Sequence, residues 1–390
     1  MIRVGFVVND GGDGWIGGAN YMRNLLAALL KFSTMQPVVI TGGALPEYIT
    51  KEFNNVEKIS SKIVDPNGNI NLIRKVIYRL SGRDVMMERL LTRHDVDVLS
   101  HFSPLGKNSI RPSIGWIADF QHIRLPNFFS EEERNWRDKS IARSADASTA
   151  VIVSSEDAKR DFLGFRPSVA KKIRVLRFVS DVGGFEQGGE PMEYLLRRYG
   201  IDGPYLHVPN QFWAHKNHAV IIDALGVARS RGRNITVVAT GNMKDRRNPR
   251  HIEMLIQRTR EAGCIENFKM LGIVPYADLA ALMKYSVGVI NPSYFEGWST
   301  TVEEAKSLGK TVILSDIPVH REQAPEHATY FDPDSPADLC DRMLHVLDTY
   351  SPDLDRERMK KAKLELPGRL KAFARSFEEI VLELVKTEPS

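Results

Sequence analysis

Cysteine is almost absent from this 390-residue chain, with Cys264 and Cys340 as its only examples. Two cysteines without metal-ligand spacing supply neither a disulfide framework nor a zinc site, and this usage suits a reducing compartment. No run of about 18 apolar residues occurs, and the apolar stretch at residues 4–8 is far too short for a secretory h-region. A cytoplasmic protein is expected. Low-complexity tracts are missing as well. The 43% apolar and 26% charged content is that of an ordered globular chain, which excludes the disordered and fibrous classes. Charge of one sign is not in excess either: 53 Lys and Arg against 49 Asp and Glu leave +4. That is a mild lean toward anionic ligands or surfaces, and no nucleic-acid partner is expected.

The chain is longer than one hydrophobic core usually serves, so two domains are expected. Short apolar runs that read as strands occur at residues 4–8, 38–41, 96–100, 114–117 and 150–154, and again at 205–208, 235–240, 268–271, 287–290 and 311–315. Helical patterns separate them, and such alternation predicts an α/β protein with parallel sheets covered by helices on both faces. The alternation pauses in a stretch rich in glycine and acidic residues after Arg177. The predicted organisation is a Rossmann-like domain over residues 1–180, a linker over 181–202, and a second Rossmann-like domain over 203–369, facing each other across a cleft. Residues 370–386 place Phe373, Phe377, Ile380, Val381 and Leu384 at helical spacing, which predicts a terminal helix that packs back on the first domain.

Residues 3–22, RVGFVVNDGGDGWIGGANYM, contain Gly12-Asp13-Gly14-Trp15-Ile16-Gly17, the G-x-G-x-x-G pattern of dinucleotide-binding proteins. Three residues separate the first strand from Gly12, the apolar helical stripe begins only at Met22, and the next strand ends in Thr41-Gly42-Gly43 with no acidic residue for a ribose. An NAD(P) oxidoreductase is therefore a remote reading. Gly17 and Gly18 remain as a pair at a helix entrance, where backbone N–H groups and an open approach suit an anion; a plain turn is the simpler alternative.

The stretch richest in chemistry is NPSYFEGWSTTVEEAKSLGKTVILSDIPVH, residues 291–320. A strand ends at Pro292, a loop carries Glu296, Gly297 and Trp298, and Ser299-Thr300-Thr301 open a helix that Gly309 closes. The N–H groups of Ser299 to Thr301 are predicted to be free for a phosphate. Glu296 and Glu304 flank this turn, where two carboxylates can each accept hydroxyl hydrogen bonds from a nucleotide sugar. A capping box from Glu303 or Glu304 to Thr300 or Thr301 is the structural alternative.

Glu296-x7-Glu304, followed by a helix, Gly309, a strand and Asp316-Ile317-Pro318, resembles the Glu-x7-Glu region of retaining GT-B glycosyltransferases of family 4. VPNQFWAHKNHAVIIDAL, residues 208–225, is similar to the start of the donor-binding domain there. The resemblance implies that Lys216 neutralises a diphosphate, a task that suits a point charge at the head of a helix next to Asn217 as a candidate N-cap. It also implies donor contacts from Gly17, Gly18, Asn210, Gln211, Gly241, Gly272, Ile273, Gly297, Trp298 and Ser299 to Thr301, with Glu304 on a sugar hydroxyl. Many members carry an arginine five or six positions before the lysine. Asn210 and Gln211 stand there in this sequence, so Arg177, Lys244, Arg246 and Arg247 are candidates for the missing cation. In related enzymes the loop after the strand at 114–117 faces the donor sugar and the acceptor, which makes Asp119 or His122 the candidate near-site group.

The activity implied is transfer of a sugar from a nucleotide-diphosphate sugar, UDP or GDP most of all, to a hydroxyl of a saccharide or lipid-linked acceptor in cell-envelope polysaccharide or glycan synthesis, with retention and without a metal or cofactor. Asp95-Val96-Asp97 and Asp332-Pro333-Asp334 read as solvated acids rather than a metal motif. A GT-B nucleotide-sugar epimerase and a non-catalytic nucleotide-sugar-binding partner are the competing readings. The basic stretch RKVIYRLSGRDVMMERLLTR, residues 74–93, reads as a solvated helix face or as a contact with anionic lipid headgroups.

Overall fold

A computed structural model describes residues 1–8, 16–65, 67–182 and 191–386. Gly12, Gly14 and residues 183–190 of the expected linker lie outside the described residues. The chain divides into two compact units. The first comprises Met1–Phe120, Glu131–Val179 and Gly368–Ser390, and the second comprises Gln121–Ser130 and Ser180–Pro367.

In the first unit the strands are β1 (Arg3–Val7), β2 (Gln36–Thr41), β3 (Glu57–Ser60), β4 (Val98–Ser100), β5 (Ser113–Ile117), β6 (Ala150–Val153) and β7 (Ile173–Val175). They form one sheet in the order β3-β2-β1-β4-β5-β6-β7, and every pairing is parallel. Val4, Phe6, Val38 and Ile40 are buried, as strands covered on both faces require. Phe377, on the helix Pro352–Lys386, stands 5.9 Å from Phe6 ring to ring, and Glu378 accepts from the Thr34 hydroxyl at 2.5 Å. All five apolar residues singled out on that helix are buried. The helix itself starts eighteen residues earlier than the stripe suggests, because its first half is polar and gives no periodic signal.

The second unit holds β8 (Tyr205–Val208), β9 (Thr236–Thr240), β10 (Phe268–Gly272), β11 (Gly288–Asn291), β12 (Val312–Ser315) and β13 (Ala328–Phe331). Their order is β10-β9-β8-β11-β12-β13, again parallel throughout. The order reverses between β8 and β11. At such a switch point the connections leave to opposite sides and open a crevice at the carboxyl ends of the strands. The core beneath it is Leu206, Val208, Ile221, Val237, Ile290 and Ile313 on one face, and Val289, Val302, Val312 and Leu314 on the other.

All ten expected strands form. Three more, β3, β7 and β13, stand at sheet edges. An edge strand buries less and needs no apolar run; β3 reads Glu-Lys-Ile-Ser with only Ile59 buried. One expectation is corrected at the N-terminus. The first helix runs Ile16–Phe32, so Gly17 and Gly18 sit in its first turn rather than before it, with Gly17 exposed and Gly18 buried. Of the arguments against a dinucleotide site, the missing acid after β2 therefore stands, whereas the late helix start does not.

Candidate active site

Two loops meet at the switch point of the second unit. One leaves β8 and passes through a tight turn, Ala214–Lys216, into the helix His218–Ser230. The other leaves β11 and enters the helix Thr300–Ser307. The Tyr294 N–H donates to the His215 carbonyl at 2.9 Å and fastens one to the other.

Lys216 Nζ lies 2.6 Å from Glu296 Oε1, with 13% and 9% of the two side chains exposed. Ser293 Oγ donates to the same oxygen at 2.6 Å and Asn291 Nδ2 approaches it at 3.4 Å. All three donors converge on Oε1. Among the described residues Oε2 has no protein partner. Burial by itself would raise the Glu296 carboxyl pKa, but the Lys216 charge and the Lys216 and Ser293 hydrogen bonds outweigh it and hold the group below the ordinary value. Lysine carries three N–H donors, so the bond to Glu296 leaves two for a ligand.

Behind this pair, Ser299 caps its helix by accepting from the Val302 N–H at 3.3 Å, and Asn291 Nδ2 holds the Ser299 hydroxyl at 2.7 Å. The Ser299 N–H is not free as expected, since Gln323 Oε1 takes it at 3.1 Å. The Thr300 and Thr301 N–H groups, in the first turn of the helix, have no partner among the described residues. Glu303 is drawn to Lys306 at 3.2 Å and to Gln323 Nε2 at 3.1 Å. Glu304 is buried and accepts from the Tyr276 hydroxyl at 2.9 Å.

Asn210 and Gln211 do not offer their side chains to a donor as expected. Asn210 is buried, gives Nδ2 to Asn291 Oδ1 at 3.1 Å, and has Thr301 Oγ1 at 2.9 Å from its own Oδ1. It stitches β8 to β11 beneath the site. Gln211 Oε1 accepts the Asn242 N–H at 2.8 Å. Gly241 has φ 148°, and a Cβ there would stand 2.3 Å from the Asn210 carbonyl oxygen. Its N–H is spent on the Gly272 carbonyl at 2.8 Å, so Gly241 permits a close crossing of two loops rather than holding a phosphate with that group. Ile273, beyond β10, is 68% exposed.

Of the four candidate cations, Arg177 groups with the first unit, and Lys244 and Arg246 are exposed on the loop after β9. Arg247 stands over the Phe129 ring at 4.0 Å and donates to Gln121 Oε1 at 3.3 Å. The same loop is anchored to the Lys216 turn, because the Ala214 N–H donates to Asp245 Oδ2 at 2.9 Å. His215, in that turn, is held neutral with its pKa lowered to about 3, first by burial and then by the Lys216 charge, with Arg247 adding to the effect. Asp119 belongs to the first unit and pairs with Arg137 at 3.0 Å. His122 belongs to the second and is buried, edge-on to Phe129.

Asn291, Ser293, His320 and Gln323 complete the site without having been singled out. His320 is buried, with Nδ1 2.9 Å from the Ser315 carbonyl and a pKa lowered to about 4 by burial. All four lie in or just after the stretch 291–320, but a buried amide or hydroxyl at a strand end carries no pattern of its own.

Comparison with known proteins now bears on this geometry. Residues 201–365 match the family model of glycosyl transferases group 1. The match spans the second unit's sheet and both loops of the site, and the expectation of a transferase is met by this group 1 domain. No curated protein matches the chain. Among solved structures, a glycosyltransferase from Rickettsia africae ESF-5 is 17% identical with a TM-score of 0.72, covering 100% of both chains. A sucrose-phosphate synthase from Thermosynechococcus elongatus is 15% identical with a TM-score of 0.70, again over 100% of each. HepE of Anabaena, solved in complex with UDP and glucose, is 14% identical with a TM-score of 0.65 over 100% of each. Likeness at such identities speaks to the fold, and the fold is GT-B, as expected from the sequence.

Proposed function

We propose that the protein is a retaining glycosyltransferase of family 4 that moves a sugar from a nucleotide-diphosphate sugar, UDP or GDP, to a hydroxyl of a saccharide or lipid-linked acceptor in glycan or cell-envelope polysaccharide synthesis. The observation that carries this reading is the division of labour on Glu296: Lys216, Ser293 and Asn291 all converge on Oε1, and among the described residues Oε2 has no protein donor. A sugar hydroxyl is the partner that oxygen suits. The two remaining donors of Lys216 and the Thr300 and Thr301 N–H groups suit the diphosphate, whose charge grows as the glycosidic bond breaks. Arg247 is the second cation, in place of the arginine that Asn210 and Gln211 replace. Ile273 offers an apolar face to the base.

Glu296 acts by orienting the sugar and not as a nucleophile. His215 and His320, which both feel the charges of this pair, are held neutral at pKa values near 3 and 4 and are weak bases. The acceptor proton therefore passes to the leaving phosphate. Asp119 or His122 is the near-site group from the other loop, and Gly17 and Gly18 are donor contacts of the first unit.

The test is incubation with UDP-glucose and with GDP-mannose, with and without oligosaccharide acceptors, followed by NMR of the anomeric proton. Glycoside product with the donor's own anomeric configuration is expected. Inverted product, or a changed sugar on the nucleotide when the donor is given alone, would overturn the proposal; the latter is the epimerase outcome.

A further inference from the structure

The helix Asn69–Ser81 in the first unit is turned inside out. Its inward face is polar. Asn71 and Arg74 are buried; Arg74 reaches Asp84 at 3.2 Å, donates to the Ile63 carbonyl at 3.1 Å and lies over the Phe102 ring. Its outward face is apolar: Leu72 is 65% exposed, Ile73 and Val76 are each 55% exposed, and Leu80 is 84% exposed. Leu72, Val76 and Leu80 succeed one another at i, i+4 and i+8 with Ile73 beside them, so they form one continuous stripe. A helix of a water-facing surface carries the opposite arrangement.

Lys75 and Arg79 flank this stripe along one side, both exposed. The helix contains no Asp or Glu, and among the described residues neither cation is ion-paired. Apolar residues in the centre with cations at the margin match the section of an anionic bilayer, acyl chains below and phosphates beside them. A second copy of the same face would bring cations toward cations without an acid to offset them. Among the described residues no helix is long and apolar enough to cross a membrane, so contact would be from the surface.

We propose that the helix Asn69–Ser81 docks on an anionic lipid bilayer, with Leu72, Ile73, Val76 and Leu80 at the acyl boundary and Lys75 and Arg79 on headgroup phosphates. The Arg74 of the basic stretch takes no part, because its charge is spent inside the unit. The inference is independent of the transferase reading, and its test uses no sugar.

The full chain is cosedimented with extruded phosphatidylcholine vesicles, with and without phosphatidylglycerol, at low and high salt. Binding to the phosphatidylglycerol vesicles alone is expected, weakened by salt. Lys75→Gln/Arg79→Gln should lower the partition coefficient by about 25-fold, at about fivefold for each cation, and reduce the salt dependence. Leu72→Gln/Leu80→Gln should abolish binding with circular dichroism and melting temperature unchanged, since both side chains are already in water. Absence of binding to phosphatidylglycerol vesicles, or equal binding by all variants, would overturn the proposal. So would self-association of the wild type without vesicles that Leu72→Gln/Leu80→Gln dissolves, because a second copy would then cover the stripe.

Discussion

Lys216 Nζ and Glu296 Oε1 are 2.6 Å apart at the crevice between β8 and β11, and both side chains are largely removed from water. A pair this buried is poorly tolerant of losing one member, because the survivor keeps its desolvation cost without its partner. Lys216→Ala should cost about 3 kcal/mol of stability in the second unit, and Lys216→Ala/Glu296→Ala should cost less than the two single changes added. Urea denaturation of the three variants measures this, and strict additivity would contradict a coupled pair. Both single variants should also lower kcat by about 100-fold or more. Unchanged turnover in both would sink the assignment of the site.

Asn210→Arg would install the arginine that the resemblance leads one to look for, and it should fail. The side chain at 210 is buried between Asn291 and Thr301, so a guanidinium there would displace two hydrogen bonds and overfill a packed position. A loss of about 3 kcal/mol or more is expected, seen as a lowered urea midpoint. Arg247→Gln, by contrast, should leave the midpoint within about 1 kcal/mol of wild type while raising KM for the donor. An Asn210→Arg protein as stable as wild type would show that position 210 opens toward the ligand.

UDP or GDP at about 100 times its dissociation constant should stabilise the protein by about 2.7 kcal/mol, read as a rise in melting temperature. Lys216→Ala should remove most of that rise at the same nucleotide concentration. Equal rises in the two proteins would place the diphosphate elsewhere.

Acid should weaken the second unit for a reason that lies in its histidines. Burial lowers His207, His215 and His218 to about 3 and His320 to about 4, whereas each protonates near 6.5 in the unfolded chain. Above pH 6.5 both states are neutral and nothing changes. Below it the unfolded state takes up protons first, so stability falls from pH 6.5 down to about 4 by up to about 1.4 kcal/mol per histidine per pH unit. Glu296 has the opposite exposure to acid: its folded pKa is depressed, so its contribution is intact above the ordinary carboxylate range and is lost only below it. His218→Phe keeps the ring that stacks on Phe212 at 4.4 Å and should flatten the slope of stability against pH by about one proton. An unaltered slope would mean that His218 is charged in the folded protein.

The central strands were legible because a strand covered on both faces is buried along its whole length, as β8, β11 and β12 are, and so is mostly apolar. The edges were not, since β3 satisfies its one buried position with Ile59 and fills the rest with polar residues. In the site, Glu296 and Lys216 could be found because chemistry fixes both residue type and spacing. The resemblance points Asn210 at a ligand, and it faces Asn291. The direction of a short amide is set by packing between β8 and β11, eighty-one residues apart, and leaves no periodicity in the chain. Arg74 illustrates the same limit, since a run of cations does not reveal which one turns inward to Asp84.

Lys310, three residues beyond the helix Thr300–Ser307, is fully buried and ends 2.6 Å from Asp355, near the start of the helix Pro352–Lys386. Beside it, Gly309 has φ 67° and so little room that a Cβ would meet the Arg358 carbonyl oxygen at 2.4 Å. The early turns of that last helix are thus a counter-mould for the back of the helix that follows the Glu296 loop. A gene fragment trimmed after β13 and the helix Pro336–Asp348 would keep every strand of the second sheet and still leave an ammonium stranded in the core. For anyone dissecting or grafting the second unit of this protein, the outer limit of the module is set by Asp355 and Arg358 rather than by the last strand.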